Sequence, residues 1–230
     1  MERHRDQELA RIRQQLLEMA GIVEEMIGDA MRALTDRDSE LAQSVIERDR
    51  EVDKLEKSID EACLHSMATQ QPTAVDLRFL VAVMKIVNDL ERMGDSAKNI
   101  AEASIVINQE PQLKPYIDLP HMARLARTMV HDSLDAFVQR NADAAREVWH
   151  RDDEIDALYL QLFRELLTYM IEDPQKAGRA LHLLLVALYL ERVADHATNV
   201  CEDVIYYVEG EDIRHEATKY GGDDEPPMAH

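Results

Sequence analysis

The chain has 230 residues, 46 of them acidic and 26 basic, for a formal net charge of −20. Such a surface repels phosphate backbones, so no nucleic-acid partner is expected. Seven glycines, seven prolines and 5% aromatics beside 46% apolar residues favour a folded helical chain over a sheet.

The two cysteines, Cys63 and Cys201, share no motif and read as small buried apolar residues rather than a disulfide or zinc site. The opening MERHRDQELARIRQ lacks the apolar core of a secretory leader. The longest apolar stretch, around 180–190, contains His182 and is too short for a bilayer. A cytoplasmic protein with no membrane insertion is expected.

Prolines fall at 72, 111, 115, 120, 174, 226 and 227, and helices fit between them. Leu9, Ile12, Leu16, Met19, Val23, Met26, Ala30 and Ala33 make a helical stripe over residues 6–35. Asp38 suits the N-cap of a second helix, 39–69, with Leu41, Val45, Val52, Leu55, Ile59 and Ala62 inward. A third helix spans 74–108. Residues 109–120 hold three prolines and read as a linker. Met122, Leu125, Met129, Leu134 and Phe137 mark a fourth helix. Asn141 caps a fifth, expected to run unbroken over 142–172, and a sixth covers 176–208. An acidic mobile tail is expected over 211–230.

One stretch occurs twice. LERMGDSAKNIAE at 90–102 returns as LERVADHATNVCE at 190–202, with seven of thirteen positions identical. RDREVD at 48–53 likewise returns as RDDEID at 151–156. The offset is 103 residues before Pro72 and Pro174 and 100 after them, so the change falls in a loop, where deletions are tolerated. The chain therefore reads as two copies of one three-helix unit. The expected fold is all-α: two tandem three-helix bundles, six long helices, related by an internal pseudo-two-fold. The first unit covers 1–110 and the second 119–210.

Each unit carries two acidic pairs spaced four residues apart. They are Asp49/Asp53 and Glu91/Asp95 in the first, Asp152/Asp156 and Glu191/Asp195 in the second. This step puts both carboxylates on one helix face, where like charges repel. Glu91 and Asp95 also continue a row that is apolar earlier, through Leu77, Leu80, Met84 and Val87. If the second-helix pair faces the third-helix pair, four carboxylates converge, and a hard or intermediate cation (Mg, Mn, Fe or Zn) would offset the repulsion. The competing reading is a solvated acidic face with Arg92 and Arg192 as counter-charges. His196, beside Asp195, is a further ligand candidate or a hydrogen-bonded polar residue. Arg78, Lys85 and Arg92, spaced by sevens, form a basic stripe read as a solvated face or a partner edge. Glu147-x-x-His150 has the spacing of a di-iron helix but lacks the second copy such sites need. No glycine-rich phosphate loop and no Gly-x-Ser-x-Gly or His-Glu-x-x-His motif occurs.

An Asp-x-x-x-Asp on each second helix and Glu-Arg-x-x-Asp-x-Ala-x-Asn on each third resemble the PhoU family, over residues 8–208. The residues that carry this are Asp49/Asp53 with ERMGDSAKN at 91–99, and Asp152/Asp156 with ERVADHATN at 191–199. The resemblance implies a cytoplasmic, non-enzymatic accessory protein and negative regulator of phosphate uptake and phosphate-starvation signalling. Its implied partners are the ATPase of a phosphate ABC transporter, a sensor histidine kinase and a second copy of the chain. It also implies multinuclear iron or zinc clusters, with Mg or Mn left open, on Asp49, Asp53, Glu91, Asp95, Asp152, Asp156, Glu191 and Asp195. The sequence departs from the pattern at Gly94/Ala194 and Ser96/His196, so the two sites need not bind the same metal. Two other classes compete: a carboxylate-bridged metal hydrolase or oxidase, and a purely structural bundle with methionine-rich faces.

Overall fold

The computed structural model describes residues 2–211. The tail expected over 211–230 lies, beyond Glu211, outside the described residues. Every regular element among the described residues is helical. In order they are α1 (Glu2–Thr35), α2 (Ser39–Thr69), α3 (Ala74–Asn108), α4 (Asp118–Gln139), α5 (Ala142–Trp149), α6 (Asp152–Glu172), a 3₁₀ turn (Pro174–Lys176) and α7 (Ala177–Glu209).

Local chemistry sets the starts. Asp38 accepts hydrogen bonds from the Glu40 and Leu41 amides at 3.0 and 2.9 Å, and Asn141 accepts one from Ala144 at 3.1 Å. Thr73 and Asp76 form a reciprocal capping box at α3. Each such cap is worth about 1 kcal/mol. The stripe from Ile12 to Ala33 is fully buried.

The span 142–172 is not one helix. After Trp149 the ladder tightens, with Arg151 N–H donating to the Val148 carbonyl at 2.9 Å, and α6 begins at Asp152. A tertiary contact accompanies the break: the Arg151 guanidinium is held by Asp132 on α4. Its counterpart in the first unit, Arg48, reaches Asp29 on α1 at 3.3 Å without interrupting α2. The same ion pair thus braces the first two helices of both units.

Helices α1–α3 form one bundle and α4–α7 the other, and the bundles meet through α3 on α7 and α1 on α4. Both joints run antiparallel. Phe79 on α3 meets Tyr207 on α7 with ring centroids 5.8 Å apart, and Phe137 on α4 stacks on Phe79 at 5.8 Å. Such ring pairs add about 0.5–1.5 kcal/mol to their burial. Further along, Lys85 Nζ donates to Asp203 at 2.6 Å. Asp89 then accepts from Asn199 at 3.2 Å and lies 2.8 Å from His196 Nδ1. Asp89 and Asp203 are buried, so these contacts satisfy carboxylates that would otherwise be costly to bury. Lys85 therefore belongs to the joint between units, not to an outer basic edge. Where the repeated segments meet, Arg92, Asp95 and Asn99 from α3 face Arg192, Asp195 and Asn199 from α7 across one polar cleft.

Candidate functional site

The acidic pairs of α2 and α3, and of α6 and α7, are positioned by the cores beneath them. Val45, Val52 and Ile59 bury one side of α2, leaving the row of Asp53, Glu56 and Asp60 beside the α3 face that carries Glu91. Close approach of the helices helps: a Cβ on Gly94 would sit 3.4 Å from Val52. The second unit has Ala194 there.

In the first unit the four predicted side chains are linked, but not as one carboxylate cluster. Asp49 is buried and paired with Lys98 Nζ at 2.7 Å, and Lys98 also lies 3.9 Å from Asp95. The hydrogen bond to Asp49 raises the Lys98 ammonium pKa. Glu91 has its pKa raised by burial first and then by Asp95, with Glu56 and Asp53 adding and Arg92 opposing. Arg92 lies 3.3 Å from Glu91. Glu56 and Asp60 extend the acidic row and were not among the predicted residues. Both carboxyls are pushed up, mainly by burial, and Asp60 Oδ1 is buried with no hydrogen-bond partner. Their signal in the sequence is the spacing of 49, 53, 56 and 60, one helix row.

The second unit brings its four predicted residues into mutual electrostatic contact. Burial drives the Asp152 carboxyl up to about 7, reinforced by Asp195, Asp156 and Glu191. Burial likewise raises Glu191, followed by Asp195 and Asp156. Asp195 is raised by burial and Asp156, against His196 and Arg192. Asp152 Oδ1 is buried with no hydrogen-bond partner. The repeat equivalent of Lys98 is Thr198, whose hydroxyl donates to the Asp195 carbonyl at 2.6 Å. His196 turns its Nδ1 to Asp89.

The donor chemistry of the second set fits a cation: oxygen ligands, mutual repulsion and an orphaned buried carboxylate oxygen. Among the described residues, however, no group of three or more His, Cys, Asp or Glu side chains is already arranged around one point. Ligation would therefore need side-chain rotation. At the first set, Lys98 already neutralises Asp49 and would compete with a metal. Cys63 and Cys201 are buried, and burial pushes both thiols up to about 12, away from the thiolate form.

Comparison with known proteins agrees with the repeat. A profile of the PhoU domain matches residues 16–104 and again 119–204. The phosphate-specific transport system accessory protein PhoU homolog of Aquifex aeolicus is 45% identical over 216 residues, 94% of this chain and 98% of that protein. The PhoU of Escherichia coli K12 is 38% identical over 217 residues, 94% of this chain and 88% of its own length. The crystal structure of PhoU from Pseudomonas aeruginosa superposes with a TM-score of 0.87 at 41% identity, covering 90% of this chain and 99% of that one. The phosphate transport system regulatory protein PhoU from Streptococcus pneumoniae gives 0.84 at 32% identity, covering 90% and 98%. Matched in both halves by the family profile and along nearly its whole length by such relatives, the chain belongs to the PhoU family.

Proposed function

We propose that this protein is a non-enzymatic accessory protein of phosphate transport, acting in the cytoplasm as an adaptor between the ATPase of a phosphate ABC transporter and a sensor histidine kinase. In this role it restrains phosphate uptake and represses the starvation response. The observation that carries the reading is the double PhoU-domain match, in a chain whose relatives are named accessory proteins of phosphate-specific transport. Among the described residues no helix is long and apolar enough to cross a membrane, which suits a protein that works beside a transporter. The inert thiols give no support to thiol catalysis. Replacing the gene and measuring phosphate uptake together with a starvation reporter tests the role. Loss of the protein should raise both under phosphate-replete conditions, and unchanged values would overturn it. Co-purification with the ATPase and the kinase tests the adaptor claim separately. The carboxylate-bridged hydrolase alternative predicts phosphomonoester turnover that disappears in Glu91→Ala. Self-association as a dimer belongs to the same proposal and is read by light scattering.

A cation on the acidic rows is part of this proposal. Asp152, Asp156, Glu191 and Asp195 would hold it in the second unit, and Asp49, Asp53, Glu91 and Asp95 in the first. Iron or zinc is the expected metal. Bound metal would supply the positive charge that each carboxylate group lacks and tie the unit's middle helix to its last. The second set should bind more tightly, because no lysine competes there. Elemental analysis of the purified protein, beside the Asp152→Asn/Asp156→Asn variant, decides it.

A further inference from the structure

The two copies of the repeated stretch differ at Gly94/Ala194, Ser96/His196 and Lys98/Thr198. Leu90/Leu190 and Ala97/Ala197 are the same in both and buried, as packing requires. Arg92/Arg192, Asp95/Asp195 and Asn99/Asn199 are also the same, yet none of these six is buried. All six line one cleft of about 470 Å³ between the units. The carboxylates belong to the proposed cation sets, but a cation calls for neither the arginines nor the asparagines. Arg92 lies 3.3 Å from Glu91 and 4.0 Å from Asp95. Arg192 makes no ion pair among the described residues and lies over the Tyr189 ring, 5.9 Å from its centroid.

We propose that this cleft binds inorganic phosphate. Its P–O oxygens accept from Arg92 and Arg192, with the Asn99 and Asn199 amides beside them, and its P–OH donates to Asp95 or Asp195. Guanidinium groups carry forked N–H donors that match the oxygens of a tetrahedral anion, and carboxamides add further donors. In a chain of net charge −20 an anion needs such local donors, and two arginines facing each other supply them. The carboxylates decide which anion. Sulfate has no proton to donate at neutral pH, and a phosphomonoester has lost most of its second one, so both meet Asp95 and Asp195 as like charge. Inorganic phosphate keeps a P–OH there and turns that repulsion into a charge-assisted hydrogen bond. A carboxylate has two oxygens, so a cation held on one leaves the other to accept. The inference goes beyond the accessory reading, which assigns the protein no ligand of its own.

The test is a calorimetric titration of the full chain, freed of metal by chelation, at neutral pH and fixed ionic strength. Inorganic phosphate, sulfate and phosphoserine are the three probes. Phosphate should saturate a single site per chain, and the other two should bind roughly tenfold more weakly. Arg92→Gln/Arg192→Gln should weaken phosphate by at least roughly tenfold. Both side chains are exposed, so this variant should keep the wild-type melting temperature. Asp95→Asn/Asp195→Asn should bring sulfate level with phosphate, a change of preference that a merely structural role would not produce. Arg32→Gln, on an exposed face of α1, should leave phosphate binding unchanged. No saturable phosphate binding, or equal binding by wild type and the arginine variant, would overturn the proposal. So would sulfate binding the wild type as tightly as phosphate, which would make the cleft a general anion site, and phosphoserine doing so, which would make a phosphate ester its ligand. The titration involves no transporter, kinase or metal, so its failure leaves the accessory and cation readings intact, and failure of the uptake assay leaves the phosphate cleft intact.

Discussion

The two halves solve the same electrostatic problem in different ways. In the first, Lys98 reaches across from α3 to the buried Asp49, so part of the acidic row carries its own counter-charge. In the second, Thr198 occupies the lysine's place, and the half-buried Asp152 keeps an orphaned Oδ1 and a carboxyl pushed up to about 7. The rows also differ in extent: Glu56 and Asp60 lengthen the first, whereas Tyr159 and Phe163 cut the second short. One duplicated scaffold thus yields a long row with part of its charge neutralised from within and a compact one with no lysine of its own, left to an external cation or a proton. A repeat preserves helix positions far better than it preserves charge balance.

The largest expected effect is metal loading. At a hundredfold excess over Kd, a cation that binds only the folded state adds about 2.7 kcal/mol, a rise of roughly 5–10 °C in melting temperature. Asp152→Asn/Asp156→Asn should lose most of that shift and Asp49→Asn/Asp53→Asn less of it; the reverse order would undo the comparison. Next, Lys98→Ala leaves the buried Asp49 without its cation and should cost about 2 kcal/mol by denaturant unfolding. Thr198→Ala, at the matching place, should change little.

The third effect is pH dependence in chelated protein. The Asp152 carboxyl is raised above its ordinary value of 3.8, so between there and about 7 the folded state holds a proton that the unfolded state has released. Its contribution to stability is complete below that window and fades as pH rises through it. After allowance for solvent screening, about 1 kcal/mol should be lost between roughly pH 4 and pH 7, and Asp152→Asn should flatten that part of the profile. The smallest effect is the transplant Thr198→Lys. It should stabilise the chelated protein by about 0.5 kcal/mol and lower metal content at the second set, as read by elemental analysis.

Much of this architecture is legible in the sequence because it depends on local signals. Prolines, capping residues and three-and-four spacing place most helix ends within a residue or two, and the offset repeat gives the two units. The break at His150–Arg151 is not legible in that way. Residues 142–172 contain no proline before the end and no glycine, and the contact that accompanies the interruption, Arg151 to Asp132, is tertiary. The acidic pairs are visible from their spacing, but their partners depend on the register between helices. Lys98 lies in the repeated stretch itself, and only packing of α3 on α2 shows that it meets Asp49. The Lys98/Thr198 mismatch was the available clue. Asp89 stands just before the repeated stretch and carries no sequence signal; its importance comes from His196 and Asn199 lying opposite it in the fold.

The joint between α3 and α7 bears on the protein's ancestry. Two identical units packed about a true dyad would make every joint contact twice. Here the buried contacts have no symmetric mates: Asp89 corresponds to Tyr189, Lys85 to Leu185 and Asp203 to Ala103. Two copies of the first unit would set Lys85 against Ala103, and two copies of the second would set Asp203 against Leu185. Each half has exchanged recognition of itself for recognition of its sibling, so the chain is in effect a fused heterodimer. Its duplicated parts can no longer be interchanged, which leaves each free to specialise without risk of assembling with the wrong copy.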